Sequence, residues 1–417
     1  MNIWILNHYA VPQKYYYLAR SYNFAKQLIT KGHQVTIFAA SSVHNSDVNL
    51  ITDGSLYTEI VEDGIPYVLF RSRQYSGNGK DRVINHIDVA AKMVKHCPGF
   101  TEKYGKPDVI FASAGQSLTL VAGISLAKKT GVKCVSEVTD LWPESFVAYD
   151  LISKKNPLLK LLYFGEKWIY KKSDALIFSM EGGKDYIIEK GWDTAHGGPV
   201  DLDKVYHINN GVDLEVFSMN SKKNDYHDVD LDNHELFKVV YTGSIRLANQ
   251  IEKLVDVAEY LQMHNFDRIK LLLWGAGDQV DVINQDINRR GLKNIILKGS
   301  VPKTTVPQIL KKSDLNIYLL GDSPLYRFGL SLNKSFEYFA SGKPVLANHD
   351  SGYSIIDRYR CGVCLEEFTA ENMAKEIISF YEMPKEEYQR YCDNAKRAAE
   401  DYDFKRLTYK LISILEK

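Results

Sequence analysis

Short apolar runs rich in β-branched residues recur through the first half of the chain, at 3–6, 34–39, 108–111, 133–137, 175–179 and 204–208. Helix-length amphipathic segments at 15–30, 117–129 and 157–172 separate most of them. Strand and helix in alternation predict an α/β fold with a doubly wound parallel sheet. Residues 57–71 depart from it, because two alternating runs flank Asp63-Gly64, the signature of an inserted β-hairpin. Residues 219–235 are polar and charged and read as a linker. Alternation then restarts, with strands at 237–241, 269–274, 295–297, 315–319 and 345–347 and helices at 252–262, 280–289 and 306–311, before a helical tail over 385–417. The expected organisation is a first Rossmann-like domain over 1–218 and a second over 236–400. Residues 401–417 form a C-terminal helix able to pack back on the first domain. Ligands of such sheets bind outside the carboxyl ends of the strands, so both domains are expected to line an interdomain cleft.

Composition narrows the function classes. At 417 residues the chain exceeds a single ordinary core. Its 52 Lys and Arg balance 52 Asp and Glu, which excludes a nucleic-acid binder held by a general positive field. Five scattered cysteines read as reduced thiols of a cytoplasmic protein, and Cys361-Gly-Val-Cys364 reads as two small residues on a strand. No apolar run reaches the roughly 18 residues needed to span a bilayer.

Residues 331–347 carry the most chemistry. Leu332, Phe336, Phe339 and Ala340 form one helical stripe, Gly342 supplies a stop, and 345–347 is a buried strand. Asn333, Lys334 and Glu337 share the polar face. A helix start with free N–H groups and an ammonium suits a diphosphate, and the carboxylate suits two ribose hydroxyls. The same residues also fit a solvated Lys–Glu pair. Three glycine-bearing loops favour the first reading: Tyr241-Thr242-Gly243-Ser244-Ile245-Arg246, Trp274-Gly275-Ala276-Gly277-Asp278, and Lys298-Gly299-Ser300-Val301-Pro302. Each follows a predicted strand, so they gather on one sheet edge beside the helix start. Gly275-Ala276-Gly277 lacks the third glycine of a dinucleotide fingerprint.

These motifs resemble, in order and over nearly the whole length, the retaining family 4 ("group 1") glycosyltransferases of the GT-B fold. Gly32-His33-Gln34-Val35-Thr36, Asn209-Asn210-Gly211-Val212-Asp213, Tyr241-Thr242-Gly243, the 275–278 loop and the run from Phe336 to Val345 are each similar to a family motif. Asp140-Leu141-Trp142-Pro143-Glu144-Ser145 resembles one of the capsule and O-antigen branch. The resemblance implies transfer of a sugar from a UDP-sugar, with retention and no required metal or other cofactor. The expected donor sugar is an N-acetylated hexosamine or deoxyhexosamine. The expected acceptor is lipid-linked or a saccharide of surface polysaccharide synthesis. Carried over, Glu337 would hold the ribose, and Val301 and Lys303 would frame the base. Ser331, Asn333 and Lys334 would meet the diphosphate, with Gly243, Ser244 and Gly275 lining the donor site. Three departures stand out. Gly329 replaces a glutamate that contacts the donor sugar. Ser244 and Asn249 replace an Arg and a Lys that neutralise the diphosphate, leaving that role to Lys334 with Arg246. A bulky Pro12-Gln13-Lys14-Tyr15-Tyr16-Tyr17 loop replaces a glycine-rich acceptor loop.

In the first domain Asp140 is the candidate acidic group near the reacting hydroxyl, or else an N-cap. Glu144, His8, Lys14 and Tyr15 are the acceptor-side candidates, with a structural role the alternative for His8. The basic, aromatic segment 154–172 reads either as a peripheral helix on the anionic inner face of the plasma membrane or as a core helix with wet lysines. Arg71, Arg73, Lys80 and Arg82 form a second basic cluster. Competing functions are a UDP-sugar epimerase of the same fold and a nucleotide-sugar-binding subunit without catalysis.

Overall fold

The computed structural model describes residues 1–417 apart from 17, 18, 45, 76, 78, 115, 116, 224, 349 and 350. The chain divides into two compact units, Met1–Asn209 with Leu407–Lys417, and Asn210–Arg406.

Unit 1 is built on strands β1 (Asn2–Leu6), β2 (Gln34–Ala40), β3 (Tyr57–Glu62), β4 (Ile65–Phe70), β5 (Val109–Ala114), β6 (Lys133–Val138), β7 (Ala175–Phe178) and β8 (Val205–His207). They form one sheet in the order β3-β4-β2-β1-β5-β6-β7-β8. Only the β3–β4 pair is antiparallel, and its turn residues Asp63 and Gly64 both take positive φ, at 51° and 76°, as a two-residue hairpin requires. The predicted 15–30 helix is described as Ala19–Thr30; residues 17 and 18 lie outside the described residues. Buried in this unit is an ion pair, Arg20 to Glu137 at 2.6 Å. Ser113 Oγ donates to the other carboxylate oxygen at 2.5 Å, and Arg20 donates to the Ile208 and Asn209 carbonyls at 2.7 Å. All three guanidinium nitrogens and both carboxylate oxygens are therefore hydrogen-bonded, which is what holding charge away from water requires.

The helix Lys80–His96 has no counterpart in the hydrophobic pattern. Its inward residues are Asn85, His86, Val89 and Met93, whereas Val83, Ile84 and Ile87 face water. Polar groups inside and apolar groups outside invert the period on which sequence reading depends.

Unit 2 carries β9 (Phe237–Thr242), β10 (Ile269–Trp274), β11 (Ile295–Gly299), β12 (Leu315–Tyr318), β13 (Val345–Ala347) and β14 (Gly362–Cys364) in the order β11-β10-β9-β12-β13-β14, all parallel. The described residues of 219–235, expected as a linker, pack into this unit. Lys298 Nζ lies 2.8 Å from Asp228 and 2.6 Å from Asp230, and Lys312 lies 2.7 Å from Asp232. Gln308 accepts from the backbone of Asp225 and Tyr226, and Trp274 Nε1 donates to Tyr226 Oη. The segment is polar because its carboxylates answer lysines some seventy to eighty positions away, a pairing invisible in the local sequence. The terminal stretch is helical as Lys385–Asp401 and Phe404–Leu415.

Candidate functional site

In unit 2 the strand order reverses between β9 and β12, and a crevice outside the carboxyl ends is the binding position of such a sheet. The loops after β9, β10 and β11 are laced together by main-chain bonds. Gly243 N donates to Trp274 O, Ile245 N to Ala276 O, and Gly275 N to Gly299 O, at 2.9–3.0 Å. The approach is close enough to demand glycine. A Cβ on Gly275 would lie 1.8 Å from the Gly243 carbonyl oxygen, and one on Gly277 would lie 2.0 Å from that of Ile245. Gly243, at φ 156°, leaves room for Tyr241 Oη and Lys334 Nζ, which a Cβ would meet at 2.9 and 3.2 Å.

Across the switch, the helix Asn333–Ser341 begins at Leu332, and no side chain caps it. Its first amides thus point outward unsatisfied by side chains, leaving the positive end of the helix open to an anion. Two side chains fasten this helix to β9. Tyr338 Oη accepts from Thr242 N at 2.9 Å. Lys334 Nζ donates to Tyr241 Oη at 3.1 Å and stands over that ring, 4.6 Å from its centroid. Tyr241 Oη in turn donates to Ser244 O at 2.7 Å. Burial, followed by repulsion from Lys303, lowers the Lys334 ammonium from its ordinary value to about 8. A cation held in that way, with no carboxylate partner among the described residues, gains from an arriving anion.

Lys303 and Glu337 form an ion pair at 2.6 Å. The residues assigned to base and ribose thus meet each other, a contact their separation of 34 positions conceals. Ser331 is positioned by Asn210, whose backbone N–H donates to its hydroxyl and whose side chain donates to its carbonyl, both at 3.1 Å. Asn333 is exposed at the helix start. Ser244 and Asn249 bond to each other, Asn249 Nδ2 donating to both the carbonyl and the hydroxyl of Ser244 at 2.8 Å. A neutral pair that braces its own loop occupies the positions of the two cations expected there. Arg246 is exposed on the same loop. Gly329 ends a short turn with φ 96°, a conformation that strains any side chain. Val301 lies in the loop after β11. Tyr241, Tyr338 and Asn210 are the residues that sequence reasoning missed as site components. Each lay inside a quoted motif, but only the fold shows what it holds.

In unit 1, Asp140 follows β6 and is open to water, while desolvation by the surrounding protein, opposed by a Thr139 hydrogen bond, shifts its carboxyl upward. Glu144 is bonded to Tyr163 and Lys190, so its carboxylate braces the fold behind Asp140. His8 is buried between Tyr9 and His86. Burial, reinforced by His86, keeps the His8 imidazole neutral. Lys14 and Tyr15 are exposed side by side, the ammonium 5.0 Å from the ring centroid. Among the described residues no cluster of His, Cys, Asp and Glu could hold a metal ion.

Residues 222–398 match the family described as glycosyl transferases group 1, and residues 20–216 match glycosyltransferase family 4. No curated protein matches the sequence. Among solved structures, the chain is similar to HepE of Anabaena in complex with UDP, at 17% identity and a TM-score of 0.69, with both chains fully covered. It is also similar to sucrose-phosphate synthase of Thermosynechococcus elongatus (15% identity, TM-score 0.70, covering 100% of this chain and 98% of that one). A third similar structure is the UDP-forming α,α-trehalose-phosphate synthase of Burkholderia vietnamiensis (11% identity, TM-score 0.72, both chains fully covered). With each unit matched by its own family description and the two-sheet architecture shared along the full length, the chain is a group 1 glycosyltransferase of the GT-B fold.

Proposed function

We propose that the enzyme takes a sugar from a UDP-sugar and passes it, with retention, to a lipid-linked or saccharide acceptor in surface polysaccharide synthesis. Unit 2 binds the donor and unit 1 the acceptor. The observation that carries the donor assignment is Lys334, stacked on Tyr241 at the uncapped start of Asn333–Ser341. The similar structure of HepE, solved with UDP and with UDP-glucose, supports the choice of nucleotide.

Lys334 and the first-turn amides take the charge that develops on the departing diphosphate. Glu337 accepts from the ribose hydroxyls, sharing its carboxylate with Lys303. Gly329 leaves the donor sugar to backbone groups of the turn it ends. Asp140, its pKa raised, orients or receives the proton of the acceptor hydroxyl. The chemistry needs no metal, and orientation does the rest. The transferred sugar in this reading is an N-acetylated hexosamine or deoxyhexosamine.

A UDP-release assay over a panel of UDP-sugars and acceptors tests it. Release that requires the acceptor is the expected result. Interconversion of the sugar without acceptor would make the enzyme an epimerase. Binding without turnover would make it a donor-binding subunit, the outcome that Gly329 and the neutral Ser244–Asn249 pair would then explain.

A further inference from the structure

We infer that unit 1 docks on an anionic membrane surface through the outer face of the helix Pro157–Lys172; the inference stands apart from the donor reading. This helix packs with only part of its apolar surface. Leu159, Ile169 and Tyr170 are buried. Leu158, Leu161 and Phe164, spaced three apart on a different face, are 50%, 64% and 68% exposed. Tyr149 and Leu151, in the segment leading to the helix, are 52% and 70% exposed. Five large apolar groups open to water within sixteen residues are far from the scattered exposure of an ordinary surface.

The charges around this strip are predominantly positive, with Asp150 the exposed exception. Lys160, Lys167 and Lys171 run along one flank of the helix, Lys154 and Lys155 precede it, and Lys172 ends it. None of the six forms an ion pair among the described residues. The carboxylates of 149–172 are Asp150 and Glu166, and Glu166 is buried against Tyr170 and Tyr186. An apolar strip framed by unpaired lysines complements lipid headgroups with acyl chains behind them.

A second patch lies at the same end of the same layer. The helix Ser117–Thr130 packs between Lys80–His96 and Pro157–Lys172. All three return antiparallel to the parallel strands, so their first turns lie at the carboxyl edge of the sheet. There Lys80–His96 exposes Val83, Ile84 and Ile87, at 54%, 45% and 54%. This is the edge that bears Asp140, so a membrane at this face would present a lipid-anchored acceptor beside it.

The test is flotation of the whole protein with vesicles of phosphatidylcholine alone and with phosphatidylglycerol added, comparing wild type with Leu161→Glu/Phe164→Glu and Lys160→Glu/Lys167→Glu. Leu161, Phe164 and Lys160 are exposed and Lys167 is half-buried, and retention of the wild-type melting temperature verifies the folding of both variants. The expected result is roughly tenfold or more protein on the anionic vesicles than on neutral ones, with both variants losing most of it. Equal binding to both vesicle types, no binding, or wild-type binding by the Leu161→Glu/Phe164→Glu variant would overturn the inference. So would a wild-type dimer in solution that this variant dissociates without any vesicle binding, because the strip would then be a contact between two copies.

Discussion

Lys334 and Glu337 lie one helical turn apart, yet the protein treats them in opposite ways. Glu337 has a resident cation, Lys303, 2.6 Å away. Lys334 has a phenol and a ring but, among the described residues, no carboxylate, and burial lowers its pKa to about 8. The consequence for ligand binding has a definite sign. A diphosphate favours the ammonium over the amine, so UDP binding is fully supported below about pH 8 and declines as the pH rises through it. In that window binding also takes up a proton. Glu337→Ala removes charge-assisted acceptors of the ribose, and titration calorimetry is expected to show UDP binding weaker by about 1–3 kcal/mol.

At the scale of elements, the glycine loops position the site by what they lack. Gly275→Ala would force a methyl group to within 1.8 Å of the Gly243 oxygen, so the β9 loop must move. The expected result is a loss of roughly 1–3 kcal/mol in denaturant stability, together with loss of the UDP-induced rise in melting temperature. In the other unit, the helix Pro157–Lys172 buries Glu166, whose carboxyl is pushed up to about 8 by desolvation, against the hydrogen bonds of Tyr170 and Tyr186. Its folded pKa stands above the unfolded value of 4.5. The stability it contributes is therefore complete below about pH 4.5 and is lost as the pH rises towards 8. Glu166→Gln keeps a neutral hydrogen-bonding group there, so the melting temperature of this variant is expected to fall less between pH 5 and 8 than that of wild type. An identical slope would show that another group sets the pH dependence.

For the whole molecule, much of the architecture was legible because buried parallel strands and their returning helices carry strong periodic patterns. The 57–70 hairpin was legible from Asp63-Gly64, which alone satisfies the turn. The polar 219–235 segment was not, since Asp228, Asp230 and Asp232 are matched by Lys298 and Lys312 far along the chain. The helix Lys80–His96 was hidden by Asn85 and His86 on its inner face. In the site, the helix start and glycine loops were readable as local backbone chemistry. The Lys303–Glu337 pair and the Lys334–Tyr241 stack were not, because each depends on how segments distant in sequence meet, and the Ser244–Asn249 brace was not, because it depends on how one loop folds back on itself.

The central claim is that Lys334 takes the charge of the donor diphosphate, and UDP titration of wild type and Lys334→Met at pH 7 and pH 9 tests it directly. The variant also controls for titration of the nucleotide itself. Wild-type affinity is expected to exceed that of the variant at least tenfold at pH 7, with the gap narrowing at pH 9 as the lysine loses its proton. Equal affinity of the two proteins at pH 7, with the variant folded, would contradict the claim and transfer the phosphate to another cation.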